Sequence, residues 1–347
     1  MQKCEYLSEN FKGILDEFFK ERISNPRTRN EYLSNIRHFC DYIGKDFLEA
    51  DEGDARRYYA HLLYRYEKEN SISRNTIGVR FYTYSSVANY IISESQDEYF
   101  KNNIFAEYKT PKFNDCVAPD KIITLEELDL LYSAAKENHM HFLIIALAHR
   151  ACLKATDITR LCIGNIVCYD YIKKIAPTHT DRAGLKENSY FIHIVSNNKN
   201  KNDTCILLPD DVREVLLEYL KLLNVDTNLL ATTSDNVKAT SSTDAEGHLF
   251  YNKAKNKLTI RNIDSIMASL VSKANLQSKY TLQDIRNRGI IDMCSAAQDI
   301  NDIMQYTNLK NTRIRTLANS AKFINNCPAN GVNYRLITKE GGTINGG

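Results

Sequence analysis

Apolar side chains recur at helical spacing through almost all of residues 8–106, so this part of the chain can only fold as a helical bundle. The first segment, SENFKGILDEFFKER, places five of them on one stripe: Phe11, Ile14, Leu15, Phe18 and Phe19. Three more such segments follow: NPRTRNEYLSNIRHFCDYIG, DARRYYAHLLYRYEKEN and SRNTIGVRFYTYSSVANYIISE. We predict four helices, with a short fifth helix before Pro111.

Capping residues mark where several of these helices begin and end. Ser8 and Ser73 stand where an N-cap hydroxyl is favoured, and Gly44 follows the second segment as a C-cap glycine should. Farther along, Thr124 and Glu127 have the spacing of a capping box. A new helix is therefore expected to begin just after Thr124.

The length of 347 residues favours two domains. Residues 109–121, KTPKFNDCVAPDK, contain two prolines and no periodicity, which is typical of a linker. We therefore predict a helical domain at 1–108, a second domain at 122–327 and a flexible tail at 328–347.

The second domain is predicted to be mainly helical with one small antiparallel β-sheet. The segments NIVCYDYIKKI and YFIHIVSNNKNKNDTCILLP are rich in β-branched and aromatic residues, as strands are. Helical patterns precede them in HFLIIALAHRA and follow them in DDVREVLLEYLKLL. The sheet should therefore lie among helices.

Composition and short motifs exclude several classes of protein. Lys and Arg number 45 against 43 Asp and Glu, which argues against a strongly basic, tail-driven nucleic-acid binder. Nine scattered cysteines without a CxxC pair argue against a disulfide or zinc framework and favour a cytoplasmic protein. There is no HExxH, no Gly-rich phosphate loop and no membrane-length apolar run, so we expect no metal, no cofactor and no membrane association.

The order of these segments, together with three short motifs, resembles the tyrosine recombinases, the phage-type integrase family. ACLKATDITRLCIGNI resembles the family's first box, SNNKNKNDTCILLP its lysine-bearing β-hairpin, and YTLQDIRNRGI its second box, His-x-x-Arg. The resemblance covers nearly the whole chain. It implies an N-terminal, SAM-like core-binding bundle followed by a catalytic-type domain.

The resemblance also implies a chemistry. In this family a tyrosine attacks a DNA phosphodiester and forms a covalent phosphotyrosyl link. Arginines and histidines stabilise the negative charge of the transition state. A lysine on the β-hairpin protonates the leaving oxygen. Our chain would then bind duplex DNA and act in site-specific recombination or in integration of a mobile element.

Most positions that match the catalytic residues are substituted here. Lys154 stands where the first-box arginine is expected, and lysine cannot clamp a phosphate with two parallel hydrogen bonds. Gln283 replaces the second-box histidine and cannot titrate. Arg286 matches its position, although on the sequence alone it could be an ion-pair partner of Asp284 or Asp292. The hairpin lysine is Lys201 or Lys199, in a turn that could equally be only solvated.

The nucleophile position is the largest departure. Asn308 matches a histidine or tryptophan of the family, and about nine residues later, where the tyrosine is expected, stands Leu317. We therefore predict impaired or absent cleavage. One alternative is an active enzyme that uses a displaced tyrosine, Tyr334 or Tyr306, although Tyr306 follows an apolar stripe typical of a core residue. The other alternative is a non-catalytic helical partner or regulator of another recombinase.

Further basic residues are candidates for DNA contact. Those of the first domain are predicted to lie at helix starts, where phosphates bind well: Arg27, Arg29, Arg37, Arg74 and Arg80. Lys199 and Arg288 are the candidates in the second domain. The predicted partners are duplex DNA and, as an oligomer, the chain itself or an active recombinase.

The predicted linker can be tested directly. Brief proteolysis of the whole chain should cut between residues 105 and 125 and leave two folded fragments, because this segment carries no pattern that would bury it. Mass spectrometry of the fragments locates the cut. A chain that shows no cut in this interval and unfolds in one cooperative step contradicts the two-domain division.

Overall fold

The computed structural model describes residues 6–94, 99–108, 117, 121–170, 189–194, 204–225, 230, 247–296, 299–307, 309–320, 336–337 and 343–344. The chain forms two compact units, Met1–Phe113 and Asn114–Gly347. The division falls inside the segment that the sequence predicts to be a linker. In the described ranges, no helix combines the length and apolar character needed to cross a membrane.

The first unit contains the four predicted helices: α1 Glu9–Arg22, α2 Pro26–Ile43, α3 Glu52–Glu67 and α4 Arg74–Glu94. The predicted caps are confirmed: the Ser8 and Ser73 hydroxyls accept hydrogen bonds from the backbone N–H groups three residues later, and Gly44 ends α2 with a left-handed φ of 70°. Residues 99–108 form turns and bends, so the short fifth helix is not found in that range.

Aromatic rings form the centre of the first unit. Phe39 on α2 lies 5.2 Å from Tyr58 on α3 and 5.1 Å from Tyr84 on α4, measured between ring centroids. The Tyr84 hydroxyl donates a hydrogen bond to the Asn35 carbonyl at 2.9 Å, which satisfies the polar end of a fully buried ring. These contacts join α2, α3 and α4 into one core.

The second unit is mainly helical. Its helices are α5 Leu125–Ala135, α6 His139–His149, α7 Ala155–Ile158, α8 Asp210–Leu222, α9 Ile260–Lys273, α10 Leu282–Ser295, α11 Ile300–Thr307 and α12 Asn311–Ser320. The capping box of Thr124 and Glu127 is present at the start of α5, as predicted. Helix α6 is apolar on every side and lies in the centre of this unit, where most of its residues are fully buried.

The predicted small antiparallel sheet is also confirmed. Strands β1 Ile166–Cys168, β2 Tyr190–Ile194 and β3 Thr204–Leu207 pair in the order β1-β2-β3. Ile166 faces Ile192, and Ile192 faces Ile206, so one apolar face is continuous across all three strands. Within 328–347, which the sequence predicted to be a flexible tail, β4 Leu336–Ile337 pairs with β5 Thr343–Ile344.

Helix α10 lies unusually close to α6. The close approach occurs at Gly289, where a Cβ atom would lie 1.9 Å from the His149 carbonyl oxygen. Only glycine leaves this space free. Most of α10 is buried, including the second-box arginine Arg286.

Replacing Gly289 tests this packing. Gly289→Ala should destabilise the second unit by about 1–3 kcal/mol, because the added methyl group forces α10 and α6 apart. Gly13→Ala is the matched control: nothing lies within 4 Å of its Cβ position, and alanine in an exposed helix should stabilise by about 0.5–1 kcal/mol. Urea unfolding measures both effects, and equal stability of the two variants contradicts the close contact.

Candidate functional site

The first box forms a tight turn between α6 and α7. Cys152 adopts a left-handed φ of 52°, a conformation that residues other than glycine seldom adopt. The Leu153 N–H then bonds back to the Leu147 carbonyl at 3.1 Å. Lys154 follows as the half-buried N-cap residue of α7. This turn directs the Cys152 carbonyl toward α10.

Arg286 on α10 fastens this turn to the end of α11. Its side chain is only 3% exposed. Nε donates to the Cys152 carbonyl at 2.5 Å, and a terminal nitrogen donates to the Thr307 carbonyl at 2.9 Å. One guanidinium group therefore connects three segments: the first box, the second box and the end of α11, which precedes α12.

The charges around Arg286 are mixed. Burial lowers the pKa of Arg286 below its ordinary value; Asp157 on α7 opposes this shift, and the positive charge of Arg313 on α12 adds to it. Arg286 and Arg313 are therefore near enough for their charges to interact.

The other residues that were predicted to bind a phosphate are less well placed to do so. Gln283 is exposed at the start of α10, and its amide donates to the Asn287 side chain at 2.9 Å. Lys154 reaches the surface beside the turn. Outside the described residues lie Asn308, Lys199, Lys201 and Tyr334. The structure thus brings the first and second boxes together and leaves the predicted hairpin contribution untested.

Leu317 does not face a cleft. It lies on α12, is 0% exposed and belongs to an apolar cluster with Ile290, Ile291, Ile303 and Ile314. The position matched to the nucleophile therefore points into the core between α10, α11 and α12. A phosphate could not reach this side chain without unfolding of the cluster.

The contacts of Tyr306 are those of a residue that stabilises the fold. Its hydroxyl lies 3.2 Å from the Arg150 carbonyl and 3.1 Å from the Leu207 carbonyl, so it connects the end of α6 with β3. Burial raises the pKa of Tyr306 far above its ordinary value. The neutral hydroxyl is thus stabilised as a hydrogen-bond donor, which agrees with the interpretation of Tyr306 as a core residue.

The sequence predicts that Arg288 contacts DNA, and the structure contradicts this prediction. Its side chain is 0% exposed, with Nε bonded to Asp292 at 2.8 Å and a terminal nitrogen bonded to the Ile123 carbonyl at 2.7 Å. Asp292 also lies 3.5 Å from the buried His149 ring. Arg288 is therefore a buried ion-pair residue between α10, α5 and α6, and it cannot contact a phosphate in this structure.

Arg37 and Arg80 lie inside α2 and α4 rather than at the predicted helix starts, and Arg80 is 9% exposed and donates to the Tyr58 hydroxyl at 2.9 Å. Arg29 does lie in the first turn of α2, but its side chain is used within the unit. Arg29 donates to the Phe19 and Ile23 carbonyls and so caps the end of α1. Arg27 is exposed beside Glu31, and Arg74 is half-buried at the first residue of α4.

The basic start of α12 is not among the positions predicted from the sequence. Lys310, Arg313 and Arg315 are all exposed there, next to the segment that Arg286 holds. Their signal in the sequence is the cluster KNTRIR, which follows directly on the motif YTNL. In the described part of the chain, no group of three or more His, Cys, Asp or Glu side chains is arranged to hold a metal ion.

Replacing Arg286 with alanine should destabilise the fold. The variant leaves two buried carbonyls without donors, a loss of about 2 kcal/mol or more for the second unit. Arg313→Ala removes an exposed arginine nearby and should change stability by less than about 0.5 kcal/mol. Thermal unfolding compares them; equal effects would contradict the bridging role.

We compared the chain and its fold with known proteins. No protein-family model matches the chain, and no curated protein matches it. Among solved structures, XerH site-specific recombinase bound to palindromic difH substrate aligns with a TM-score of 0.61 and 14% identity, over 88% of this chain and 80% of that chain. Lambda integrase (residues 75–356) bound to DNA aligns with a TM-score of 0.56 and 12% identity, over 85% and 90%.

The Tn1549 transposon integrase in complex with transposon right end DNA gives a similar result. It aligns with a TM-score of 0.58 and 12% identity, over 87% of this chain and 92% of that chain. In all three cases the alignment spans most of both chains, so the similarity extends well beyond one motif. We conclude that this chain has the tyrosine recombinase fold.

Proposed function

We propose that the protein binds duplex DNA and acts in site-specific recombination or integration of a mobile element without cutting DNA itself. The observation that carries the proposal is the contrast between Arg286 and Leu317. Arg286 still joins the first and second boxes, whereas the nucleophile position is a leucine buried in the core. Lambda integrase is bound to DNA and the Tn1549 integrase is in complex with transposon right end DNA in the similar structures, which supports duplex DNA as the ligand.

Phosphate binding would involve the surface around the start of α12. Lys310, Arg313 and Arg315 are exposed there, and Lys154 is half-buried at the first box. Charged side chains of this kind contact the DNA backbone and fix the register of a protein on the duplex, without reading sequence. Arg286 would act behind them by holding the two segments together.

Cleavage would fail for three independent reasons. Leucine has no atom that can attack phosphorus. Gln283 cannot donate or accept a proton, and Lys154 offers a point charge in place of the arginine fork. Loss of one preorganised donor typically lowers the rate by about 10²–10³-fold, so two weakened donors without a nucleophile leave no turnover.

The biological role would be that of an accessory subunit or regulator in the cytoplasm. It would assemble on DNA with further copies of itself or with an active recombinase. The alternative of an active enzyme would need Tyr334 or Tyr306. The Tyr306 hydroxyl lies between two carbonyls, which counts against it, whereas Tyr334 is outside the described residues.

Binding through phosphates predicts a strong effect of salt. Affinity for duplex DNA should fall by roughly 10³-fold or more between 50 and 200 mM salt, if six or more phosphates are contacted. The double variant Lys310→Gln, Arg313→Gln should bind more weakly and with a smaller salt slope. Lys221→Gln, an exposed lysine on α8, is the matched control. Binding that does not respond to salt, or no binding to any duplex, contradicts the proposal.

A restored tyrosine should not restore cleavage. With Leu317→Tyr we expect no covalent protein–DNA adduct on a nicked suicide duplex, because the added hydroxyl would point into an apolar cluster and the clamp stays impaired. A denaturing gel detects the adduct, and circular dichroism confirms that the variant is folded. An adduct formed by this single variant would show that the position faces the DNA.

A further inference from the structure

Four buried polar side chains join α5, α6 and α10 in the second unit. The Tyr132 hydroxyl on α5 lies 3.1 Å from Nδ1 of His149 at the end of α6, and Nε2 of the same ring lies 3.5 Å from the Asp292 carboxylate on α10. Arg288 donates to the other oxygen of Asp292 at 2.8 Å. Each of these four residues is at most 2% exposed, so bulk water is excluded from them. We call them the His149 network.

The partners of His149 determine which ring nitrogen carries the proton. A carboxylate can only accept hydrogen bonds, so Nε2 must present its N–H to Asp292. Nδ1 then carries a lone pair, and the Tyr132 hydroxyl donates to it. In this state the ring is neutral, and each of its nitrogens has a partner.

The charges around the ring cancel as long as His149 is neutral. Arg288 and Asp292 of α10 form an ion pair. Arg150, the residue after His149, pairs with Asp211 of α8 at 2.8 Å. A proton on His149 would therefore leave one positive charge uncompensated in the core, where an unpaired charge is costly.

The His149 network also lies at the close contact between α6 and α10. Cδ2 of the His149 ring lies 3.3 Å from the position that a Cβ atom of Gly289 would take. Two further titratable groups lie on the segments that follow α6: the Cys152 thiol, which donates to the His149 carbonyl, and Asp157 of α7, which acts electrostatically on Arg286. A shift of the ring would therefore change how α10 is held.

We propose that the His149 network is an acid-sensitive switch, in which protonation of His149 releases α10 from α5 and α6. A protonated ring has no lone pair that can accept from Tyr132, and its added charge lies in a buried cluster. Arg286 also lies on α10, so this release would disconnect the first-box turn from the end of α11. The inference concerns the fold alone and does not depend on the proposed function.

The sign of the pH dependence follows from the neutral ring. Burial lowers the pKa of His149 below its ordinary value of 6.5; Asp292 opposes this shift, and Arg150 and Arg288 add to it. The opened chain therefore binds a proton that the closed chain does not. The stabilisation is complete above pH 6.5 and is lost as pH falls from there toward the pKa of the folded state.

Hydrogen exchange of the full chain, followed by mass spectrometry of peptides from α10, measures this release directly. After correction for intrinsic exchange rates, the opening equilibrium constant of α10 should rise by up to about tenfold per pH unit below pH 6.5, the limit for one proton. In His149→Gln this rise should disappear, because glutamine can accept from Tyr132 and donate to Asp292 but cannot titrate. His61→Gln, at a half-buried histidine of α3, is the matched control and should retain the rise.

An equal rise in the unmodified chain and in His149→Gln, or the same rise in peptides from α4 of the first unit, would overturn the inference. If His149→Gln does not fold, nitrogen NMR of the histidine rings in the unmodified chain decides. The His149 ring is assigned through its contact with Tyr132. A ring that stays neutral, with its proton on Nε2, down to the pH at which α10 opens supports the switch. A ring that takes up a proton while α10 stays closed contradicts it.

Discussion

The guanidinium group of Arg286 is the interaction on which the second unit's candidate site depends. It satisfies the carbonyl of Cys152 in the first-box turn and the carbonyl of Thr307 at the end of α11. Both acceptors are backbone groups in a buried setting, where a lost hydrogen bond is costly. An arginine at this position therefore stabilises the fold whether or not the protein cleaves DNA. This explains how Arg286 can persist where other matched positions have changed.

Two of the substituted positions, Gln283 and Lys154, have no comparable structural role within the described ranges. Gln283 is exposed and donates to its neighbour Asn287, and Lys154 is half-buried at the edge of a turn. Exchanges at such places cost the fold little. Leu317 lies at the other extreme, because α12 needs an apolar residue there to complete its cluster with α10 and α11. Packing thus favours Leu317 at the position where the resemblance predicts a tyrosine nucleophile.

Helices and caps could be predicted from sequence because their signals are local. Apolar spacing and single residues such as Ser8, Gly44 and Thr124 determine where helices begin and end. Burial of charged residues could not be predicted in this way. Arg288 and Arg80 lie on helices that other elements cover on most sides, so their spacing resembles that of surface cations. Only the tertiary partners, Asp292 and Tyr58, reveal them as core residues.

The same limit applies to the site itself. The motif order indicated which segments would meet, and the contact between Cys152 and Arg286 agrees with that order. The exposed cations at the start of α12 have no motif of their own, so their relevance depends on the three-dimensional neighbourhood of Arg286. The long-range contacts that bury α10 are set by one small residue, Gly289, whose importance no local pattern indicates.

The central claim is that this fold holds DNA without cutting it. The most direct test incubates the unmodified chain with a nicked suicide duplex, at a concentration where a native gel shows a complete shift. A denaturing gel of the same sample should then show free protein and free DNA, with no covalent band. A covalent band, mapped by peptide sequencing to Tyr334 or Tyr306, would contradict the account and show that the protein is an active recombinase with a displaced nucleophile.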